Sequence, residues 1–444
     1  MFEVLPHYTH NGVVKKQTNT TRNVPVFTQV CKLIPPFLLR KTITEAIRDN
    51  VRVTKPRVFS YWSQIVSMIF YHLMRIESIN ELCDTLNHHR GLLNTLRNAI
   101  APRRNTLSYA NRTRSSEIIK RLFYSVIEYY QNNMQDFFRN PNRRYFRIPK
   151  RFKRTIRALD STTLELVANC MDWAQHRRKK AAAKVHVCLD VLTFTPSMVI
   201  VEPGNRHDAN YMVSLCKGMK AGDIAIFDKA YISLVNLLKL TKEGIMWVTR
   251  CKEDAQFIVI KKLNKGSQKN IIRDELVEWK GAKSHERYPE QLRRVEAIVK
   301  DSQGEEVSVT FLTNNTEWAA SSVCDLYHTR WAIENFFKEI KQTLQLHTFI
   351  GYNRNSIEWQ VWSAMLVYML LRIQEWMYKW EGSFKRLIAL IRGIAWVQQD
   401  LAFILASHGT AKHPPPQEEA QTTPYLIHSV TCISLKTYHS NLIV

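Results

Sequence analysis

Four polar residues near the C-terminal end of the chain have a spacing that suits phosphate chemistry. Tyr327, Arg330, Glu334 and Lys341 are separated by three, four and seven residues within YHTRWAIENFFKEIKQTLQLH. In one α-helix these steps would place all four side chains on one face. The guanidinium could fork onto a phosphate, the ammonium could hold one as a point charge, and the phenol could donate a hydrogen bond. The alternative is an ordinary solvated face with an i,i+4 ion pair.

Two aspartates each follow a short apolar segment that is typical of a buried strand. Asp160 ends TIRALD, and Asp228 ends DIAIFD. On adjacent strands the two carboxylates would lie side by side, where their repulsion favours a bound cation. Hard divalent cations such as Mg²⁺ take oxygen ligands, and two such ions can activate a water and stabilise the leaving oxygen of a phosphodiester. Glu334 would supply a third carboxylate, although any single acid after a strand can instead be a turn residue or a helix N-cap.

The segments that would position these aspartates are predicted to form an α/β fold. The strand that ends on Asp160 is followed by two strands, KVHVCLDVLT and PSMVIVEP, and by a helix, DANYMVSLCKGM. The strand that ends on Asp228 is followed by a helix, SLVNLLKLTKEG, with Gly244 near its end, and by a fifth strand, IMWVTR. Three strands, helix, strand, helix, strand is the element order of an RNase H-like mixed sheet.

Four further short strands are predicted before the chain reaches Glu334. They are QFIVIKKL, RDELVEWK, RRVEAIVK and EEVSVTFLT, separated by polar turns. We interpret them as a β-rich insertion in the core. Helices resume at about Glu317 and continue to about Ser407, before the Pro- and Gln-rich segment KHPPPQEEAQTTP.

The first 140 residues are predicted to be helical. Ser78 and Glu81 fit a capping box at one helix start. The segments TLSYANRTR and SSEIIKRLFYSVIEYY could form a helix-turn-helix, or they could be two members of a plain helical bundle with a basic surface. A basic linker, RNPNRRYFRIPKRFKR, follows this region.

The charge balance predicts a polyanionic partner. The chain has 63 basic and 39 acidic residues, a formal charge of +24. Apolar runs are too short to cross a membrane, since the longest, at 361–371, is ended by Arg372, and the N-terminus lacks the apolar core of a signal peptide. We therefore expect a cytoplasmic protein that binds DNA or RNA and no membrane. The eight scattered cysteines lack zinc-ligand spacing, and we expect them to be reduced.

Together these blocks resemble the DDE transposases of the IS-four insertion-sequence family. The spacing Tyr327-x2-Arg330-x3-Glu334-x6-Lys341 matches the family's Y-R-E-K signature. LDSTTLEL around Asp160 and FDKAYIS are similar to its two aspartate blocks, and the family inserts a β-domain before its glutamate. The resemblance covers about residues 55–400, including an N-terminal segment that is similar to the small N-terminal domain of many members.

The resemblance implies a function and a set of roles. Asp160, Asp228 and Glu334 would be catalytic metal ligands for two Mg²⁺ ions, which Mn²⁺ could replace. Tyr327, Arg330 and Lys341 would grip phosphates of double-stranded DNA, both at the terminal inverted repeats and at the target. The enzyme would cut and rejoin DNA in a cut-and-paste transposition, as a homodimer in the synaptic complex, in association with a bacterial nucleoid.

This interpretation divides the chain into five parts. They are a helical, DNA-binding N-terminal domain (1–140), an RNase H-like catalytic core (150–250 and 313–350), a β-rich insertion (251–312), C-terminal helices (351–410), and a linker with a tail (411–444).

Other residues allow two interpretations each. Trp331 follows the signature arginine, as in relatives that make hairpin DNA ends, and could stack on an everted base or anchor the core beside Phe336. Trp279 is a weaker candidate for stacking. His186, His207 and Asp208 are further candidates. His207 and Asp208 lie in GNRHDAN, which could orient a nucleotide, although we favour a helix cap.

Two other functions remain open at this stage. The chain could be an inactive or domesticated relative that still binds DNA, but its three acids are intact. It could also be a nuclease with an RNase H-like core, but the Y-R-E-K face and the β-rich segment argue against this.

Overall fold

The computed structural model describes residues 24–134, 152, 154–166, 170, 181–263, 270–300, 304–346 and 348–408. Most of the basic linker and the whole of the predicted tail lie outside these ranges.

The helices within the described ranges are α1 (Val26–Lys32), α2 (Pro36–Arg48), α3 (Tyr61–Met74), α4 (Ile79–His88), α5 (Arg90–Asn94), α6 (Arg104–Thr113), α7 (Glu117–Asn133), α8 (Met212–Leu215), α9 (Leu234–Lys242), α10 (Ala282–Arg287), α11 (Ala320–His328), α12 (Trp331–Lys338), α13 (Arg354–Met377), α14 (Phe384–Gly393) and α15 (Leu401–His408). Short 3₁₀ helices span Asp208–Tyr211 and Lys229–Tyr231, and a π-helical turn spans Glu339–Thr343.

The strands are β1 (Ile156–Leu166), β2 (Ala181–Asp190), β3 (Thr195–Pro203), β4 (Ile224–Phe227), β5 (Met246–Arg250), β6 (Phe257–Lys262), β7 (Ile271–Trp279), β8 (Leu292–Lys300) and β9 (Glu306–Thr313).

All nine strands form one mixed sheet in the order β3-β2-β1-β4-β5-β9-β8-β7-β6. β1 pairs antiparallel with β2 and parallel with β4, and β4 pairs parallel with β5. The five strands predicted around the two aspartates are therefore present, in the predicted chain order. Gly244, predicted near a helix end, follows α9 with φ +72°, a left-handed conformation that glycine adopts without strain.

The four strands predicted before Glu334 are also present, as β6 to β9. They continue the same sheet, because β9 pairs antiparallel with β5 through Val248 and Thr313, and β8, β7 and β6 follow outward. The sheet thus leads to the start of α11, which follows β9 after six residues.

Helices α1 to α7 pack with α13 in one apolar core. α13 is buried along most of its length, and its neighbours include α3 and α7. Polar contacts join the N-terminal helices to the region around α13. Tyr71 Oη donates to the carbonyl of Thr348 (2.8 Å), and Trp359 Nε1 donates to that of Arg114 (2.7 Å). The predicted cap at Ser78 is confirmed, because its hydroxyl accepts from the N–H of Glu81 at 3.1 Å.

The segments TLSYANRTR and SSEIIKRLFYSVIEYY form the helices α6 and α7. One face of α7 packs in the helical core, with Ile118, Leu122 and Val126 fully buried. A helix-turn-helix and a plain bundle both need such a buried face, so the DNA-binding role of these two helices stays a prediction. Within the described residues, no helix combines the length and the apolar character needed to span a membrane.

Candidate active site

The two aspartates lie next to each other at the end of the parallel pairing between β1 and β4. The last pair in that register is Leu159 with Phe227, and Asp160 and Asp228 are the next residue on each strand. Adjacent strands are about 4.8 Å apart, so the two backbones bring the carboxylates into one neighbourhood. The prediction that these acids share one edge of parallel pairing is confirmed.

The prediction that Asp160 ends its strand is wrong. β1 continues to Leu166, because β2 remains paired with it as far as Leu166 and Ala181, well beyond the end of β4. Asp160 therefore projects from the middle of a long strand, where a second strand holds the backbone on one side. Asp228, by contrast, follows its strand directly, as predicted, and opens the 3₁₀ helix Lys229–Tyr231.

The prediction of a single helix from Tyr327 to Lys341 is also wrong. α11 ends at His328 and α12 starts at Trp331, and the turn between them is tightened by i→i+3 hydrogen bonds, among them Arg330 N–H to the carbonyl of Tyr327 (3.0 Å). The Thr329 hydroxyl strengthens this turn by donating to the carbonyl of Leu326 at 2.6 Å. Lys341 lies farther on, in the π-helical turn. The segment nevertheless has an apolar face at helical spacing, which is buried at Leu326, Ile333, Phe337, Ile340 and Leu344.

Arg330 joins two of the three predicted acids. Its Nη1 donates to Asp160 Oδ2 at 3.1 Å, and its Nη2 donates to Glu334 Oε1. The side chain of Arg330 is 19% exposed, whereas that of Glu334 is 43% exposed. The arginine thus lies between β1 and α12, with the site open to solvent on the glutamate side.

The charges around Asp160 are unevenly balanced. Burial raises the pKa of this carboxyl to about 6; the Ser161 N–H and Arg330 work against the shift, whereas Asp228 and Glu334 add to it. Burial disfavours the charge of Arg330, but the neighbouring phenol and carboxylates raise its pKa above the ordinary value. A further source of positive charge beside Arg330 would therefore be favourable here.

Tyr327 and Lys341 flank this group from two directions. Tyr327 packs against Phe311 with ring centroids 5.0 Å apart, and the guanidinium of Arg330 lies 5.6 Å from the centre of its ring. Lys341 Nζ donates to the carbonyl of Thr163 on β1 at 2.8 Å. Burial raises the pKa of Tyr327 to about 12, so at neutral pH its phenol is a hydrogen-bond donor.

The two tryptophans have opposite environments. Trp331 is 53% exposed, so the interpretation that it anchors the core is wrong. Phe336 on the same helix is fully buried in the core. Trp279 is 8% exposed and packs on Phe257 with ring centroids 4.7 Å apart. Trp279 is therefore a core residue at the far end of the sheet, and the structure gives it no surface for stacking on a base.

The donor chemistry of the three acids fits a hard divalent cation, because carboxylate oxygens are the ligands that such ions prefer. Their present arrangement does not hold one. Among the described residues, no three His, Cys, Asp or Glu side chains lie close enough together to bind an ion. Arg330 is bound to two of the carboxylates instead, so a metal would need the guanidinium to release at least one of them.

The structure adds polar residues that the sequence interpretation missed or placed wrongly. The favoured role of GNRHDAN as a helix cap is wrong, because no side chain caps the 3₁₀ helix at Asp208, and the Asp208 carboxylate instead accepts from Lys184 Nζ (2.7 Å) and Ser161 Oγ (3.0 Å). Arg250, at the end of β5, is an exposed cation whose charge affects the pKa of Tyr327. Its one sequence signal is its position at the end of a predicted strand.

Two family models match the chain. Residues 151–370 match the transposase DDE domain, and residues 22–96 match a domain of unknown function. The first match contains all the residues of the site described above. The second covers helices α1 to α5, which lie N-terminal to the sheet.

Several curated proteins are similar to the chain. One is a probable transposase for insertion sequence element IS5377 from Geobacillus stearothermophilus, 29% identical over 51% of this chain and 58% of that protein. Another is the putative transposase y4zB from Sinorhizobium fredii, 28% identical over 61% of this chain and 72% of that protein. A third is transposase InsG for insertion sequence element IS4 from Escherichia coli, 30% identical over 34% of each chain. The chain thus spans between one third and three quarters of these relatives.

A weaker likeness links the chain to a solved structure, the cryo-EM structure of a piggyBac transposase synaptic complex with hairpin DNA. The TM-score is 0.40 and the identity 10%, over 86% of this chain and 82% of that one. The domain match at residues 151–370 and the insertion-sequence relatives agree with the Y-R-E-K signature. The chain therefore contains a transposase DDE domain, at residues 151–370, and resembles the transposases of insertion sequences.

Proposed function

We propose that the protein is the transposase of an insertion sequence, which binds the terminal inverted repeats of its element, cuts the DNA in a metal-dependent reaction and joins the ends to a target. The observation that carries this proposal is the convergence of Asp160 and Glu334 on Arg330, beside Asp228, at one edge of the sheet. An insertion-sequence DDE chain with this arrangement has the donors for phosphodiester chemistry.

Asp160, Asp228 and Glu334 would hold two divalent metal ions, Mg²⁺ by preference and Mn²⁺ as a substitute. When bound, the metal would activate a nucleophile and stabilise the leaving oxygen of a phosphodiester. The surrounding side chains orient the scissile phosphate, so that one phosphodiester is placed for reaction. Tyr327 can donate a hydrogen bond to a phosphate oxygen, and Lys341 can supply a point charge.

Arg330 has two roles in this proposal. Without DNA, it is the counter-ion that lets two carboxylates lie close together, and its bonds to Asp160 and Glu334 support this role. With DNA, its fork turns to a phosphate, for which guanidinium geometry is well suited. The move frees carboxylate oxygens for the metal, so that DNA binding and metal binding assist each other.

The finer architecture is part of the same proposal. The order β3-β2-β1-β4-β5, with the first three strands antiparallel and the last three parallel, supports an RNase H-like core. β6 to β9 would be the β-rich insertion at 251–312, and the helices within 1–140 a DNA-binding domain. We further propose that a homodimer holds two ends in the synaptic complex, in a bacterial cytoplasm at the nucleoid.

The test uses a duplex that carries the terminal inverted repeat of the element and a scrambled duplex of equal length. We expect nicking of the first duplex at the element's end in Mg²⁺, and none in EDTA. Binding without nicking in either Mg²⁺ or Mn²⁺ would support the inactive, DNA-binding alternative. Equal cleavage of both duplexes, without strand joining, would support a nuclease.

A further inference from the structure

A polar cluster lies on the face of β1 opposite the three acids. Neighbouring residues of a strand point to opposite faces of the sheet: Asp160 bonds to Arg330 at the start of α12, whereas Ser161 bonds to Asp208 in a 3₁₀ helix. We use the name back-face network for the five side chains on that second face, which are Ser161, Lys184, His186, Asp208 and Tyr231.

Asp208 connects to Asp160 through two hydrogen bonds. The Ser161 hydroxyl donates to Asp208 Oδ1 at 3.0 Å, and the Ser161 N–H donates to Asp160 Oδ1 at 2.8 Å. Lys184 lies on the neighbouring strand β2, opposite Thr163, and its Nζ donates to the same Asp208 oxygen at 2.7 Å. Asp208 therefore fixes the residue whose own N–H orients the Asp160 carboxylate.

Tyr231 and His186 connect to the second aspartate. The Tyr231 N–H donates to the carbonyl of Asp228 at 3.0 Å, which closes the turn after β4. Tyr231 Oη lies 3.1 Å from Nδ1 of His186, the residue directly opposite Ser161 in the register of β1 and β2. Burial lowers the pKa of His186 and raises that of Tyr231, so at neutral pH an uncharged ring and an uncharged phenol share this hydrogen bond.

The two halves of the network meet at Asp208. Its Oδ1 is 3.5 Å from His186 Nδ1, so the acid that holds Ser161 also contacts the ring that holds Tyr231. His186 is fully buried and Asp208 has a side chain only 15% exposed. Burying charged and polar groups is costly, and such a cluster persists where each group has a specific partner.

We propose that the back-face network is a positioning device, which holds Asp160 and Asp228 at the separation and orientation in which they bind a divalent metal. The inference rests on the proposed function, because it needs the two aspartates to be metal ligands. Two carboxylates on adjacent strands repel each other, and without anchoring, the Asp160 side chain and the turn after Asp228 would relax apart. Residues that orient ligands in this way commonly change metal affinity or activity by about 10- to 100-fold.

The test measures Mn²⁺ binding in the absence of DNA, by the loss of the free-ion signal in electron paramagnetic resonance. We expect Asp208→Ala and Ser161→Ala each to weaken Mn²⁺ binding by about 10- to 100-fold. Because both remove the same link, the double variant should bind Mn²⁺ within about threefold of either single variant. Ser161→Thr keeps the hydroxyl and should restore most of the affinity. Tyr231→Phe, which removes one hydroxyl, should show a smaller loss.

Two further readouts separate positioning from general stability. Cleavage by Asp208→Ala should recover in part as Mn²⁺ is raised, and its binding of terminal-repeat DNA in EDTA should stay within about twofold of wild type. Asp223→Asn is the matched control, since Asp223 is 8% exposed and accepts from the Lys220 N–H at 2.9 Å, at the opposite end of β4. It should lower the melting temperature without changing the Mn²⁺ half-saturation.

The inference is overturned if Asp208→Ala and Tyr231→Phe bind Mn²⁺ as wild type does, or if Asp223→Asn reproduces their loss of Mn²⁺ affinity. A wild-type protein that shows no metal-dependent cleavage contradicts the proposed function. A wild-type protein that cleaves, together with network variants that cleave equally well at low Mn²⁺, contradicts the positioning role alone.

Discussion

Several arginines of the described residues bridge two carboxylates, and two of these bridges have contrasting surroundings. Arg330 joins Asp160 on β1 to Glu334 on α12. Arg372 joins Glu339 (2.6 Å) and Glu375 (2.6 Å), between the π-helical turn and α13.

The second bridge is enclosed, whereas the first is open. Arg372 is 4% exposed, its Nε donates to Tyr368 Oη at 3.0 Å, and its guanidinium lies 4.0 Å from the centre of the Phe384 ring. Arg330 is 19% exposed, and one of its acids is 43% exposed. An enclosed bridge holds its side chains in one arrangement, since neither solvent nor a ligand can reach them to replace a partner. An open bridge can exchange its partners for a phosphate and a metal, as the proposed function requires.

The largest expected effect is at the open bridge. We predict that Asp160→Ala, Asp228→Ala and Glu334→Ala each reduce strand cleavage by at least about a thousandfold, because several kcal/mol of transition-state stabilisation depend on the metal. Binding of end DNA in EDTA should remain nearly intact, since the acids would bind metal and not DNA. Asp254→Ala, at an exposed aspartate after β5, is the control and should cleave normally. Near wild-type nicking by any of the three would show that this residue has been assigned wrongly.

At the enclosed bridge we predict a loss of stability. Arg372→Met leaves two carboxylates that are only 19% and 13% exposed without their cation, which costs about 3–5 kcal/mol. Arg330→Met leaves Asp160, 23% exposed, and Glu334, 43% exposed, so it should cost less than the Arg372 variant. Urea unfolding of both variants, with Lys385→Ala as a surface control on α14, measures the difference. Equal losses for the two arginines would remove the distinction between the bridges.

A smaller effect is expected on DNA affinity. Arg330→Ala and Lys341→Ala should each weaken binding of end DNA and reduce the slope of log K against log salt by about 0.9, the contribution of one phosphate contact. Arg287→Ala, an exposed cation on α10, should leave the slope unchanged. Slopes equal to wild type in both site variants would favour an ordinary solvated face.

The smallest effect is expected at Trp331, the exposed aromatic residue beside the open bridge. If the freed 3′-hydroxyl attacks the opposite strand, the resulting hairpin needs a base out of the stack, and an aromatic platform offsets about 1–3 kcal/mol of that cost. We predict that Trp331→Ala nicks the first strand but accumulates nicked ends in place of hairpins, whereas Trp331→Phe keeps part of the hairpin product. Blunt double-strand breaks from wild-type protein, with no hairpin on denaturing gels, would contradict this route.

The sequence predicts the features that depend on local periodicity. The strand before Asp228, the strands β6 to β9 and the buried face of α11 and α12 follow from the spacing of apolar residues. The continuation of β1 beyond Asp160 depends on its pairing with β2, which is a contact between distant segments. The break at Thr329 depends on one hydroxyl and one carbonyl, and no periodicity reports it.

The roles of single polar residues were harder to predict for the same reason. Asp208 lies in a segment that is typical of a helix cap, but Lys184 and Ser161, far away in sequence, bind its carboxylate. Trp279 and Trp331 have the same side chain, and only tertiary packing buries the first and exposes the second.

The central claim is that Asp160, Asp228 and Glu334 form one metal site. Its most direct test is iron-mediated cleavage of the protein backbone: Fe²⁺ replaces Mg²⁺, ascorbate and peroxide generate hydroxyl radicals at the bound ion, and the fragments are mapped. The account predicts cuts near residues 160, 228 and 334 that excess Mg²⁺ suppresses, that end DNA strengthens and that Asp228→Ala removes at all three positions together. Cuts elsewhere in the chain, or cuts that persist in Asp228→Ala, would contradict it.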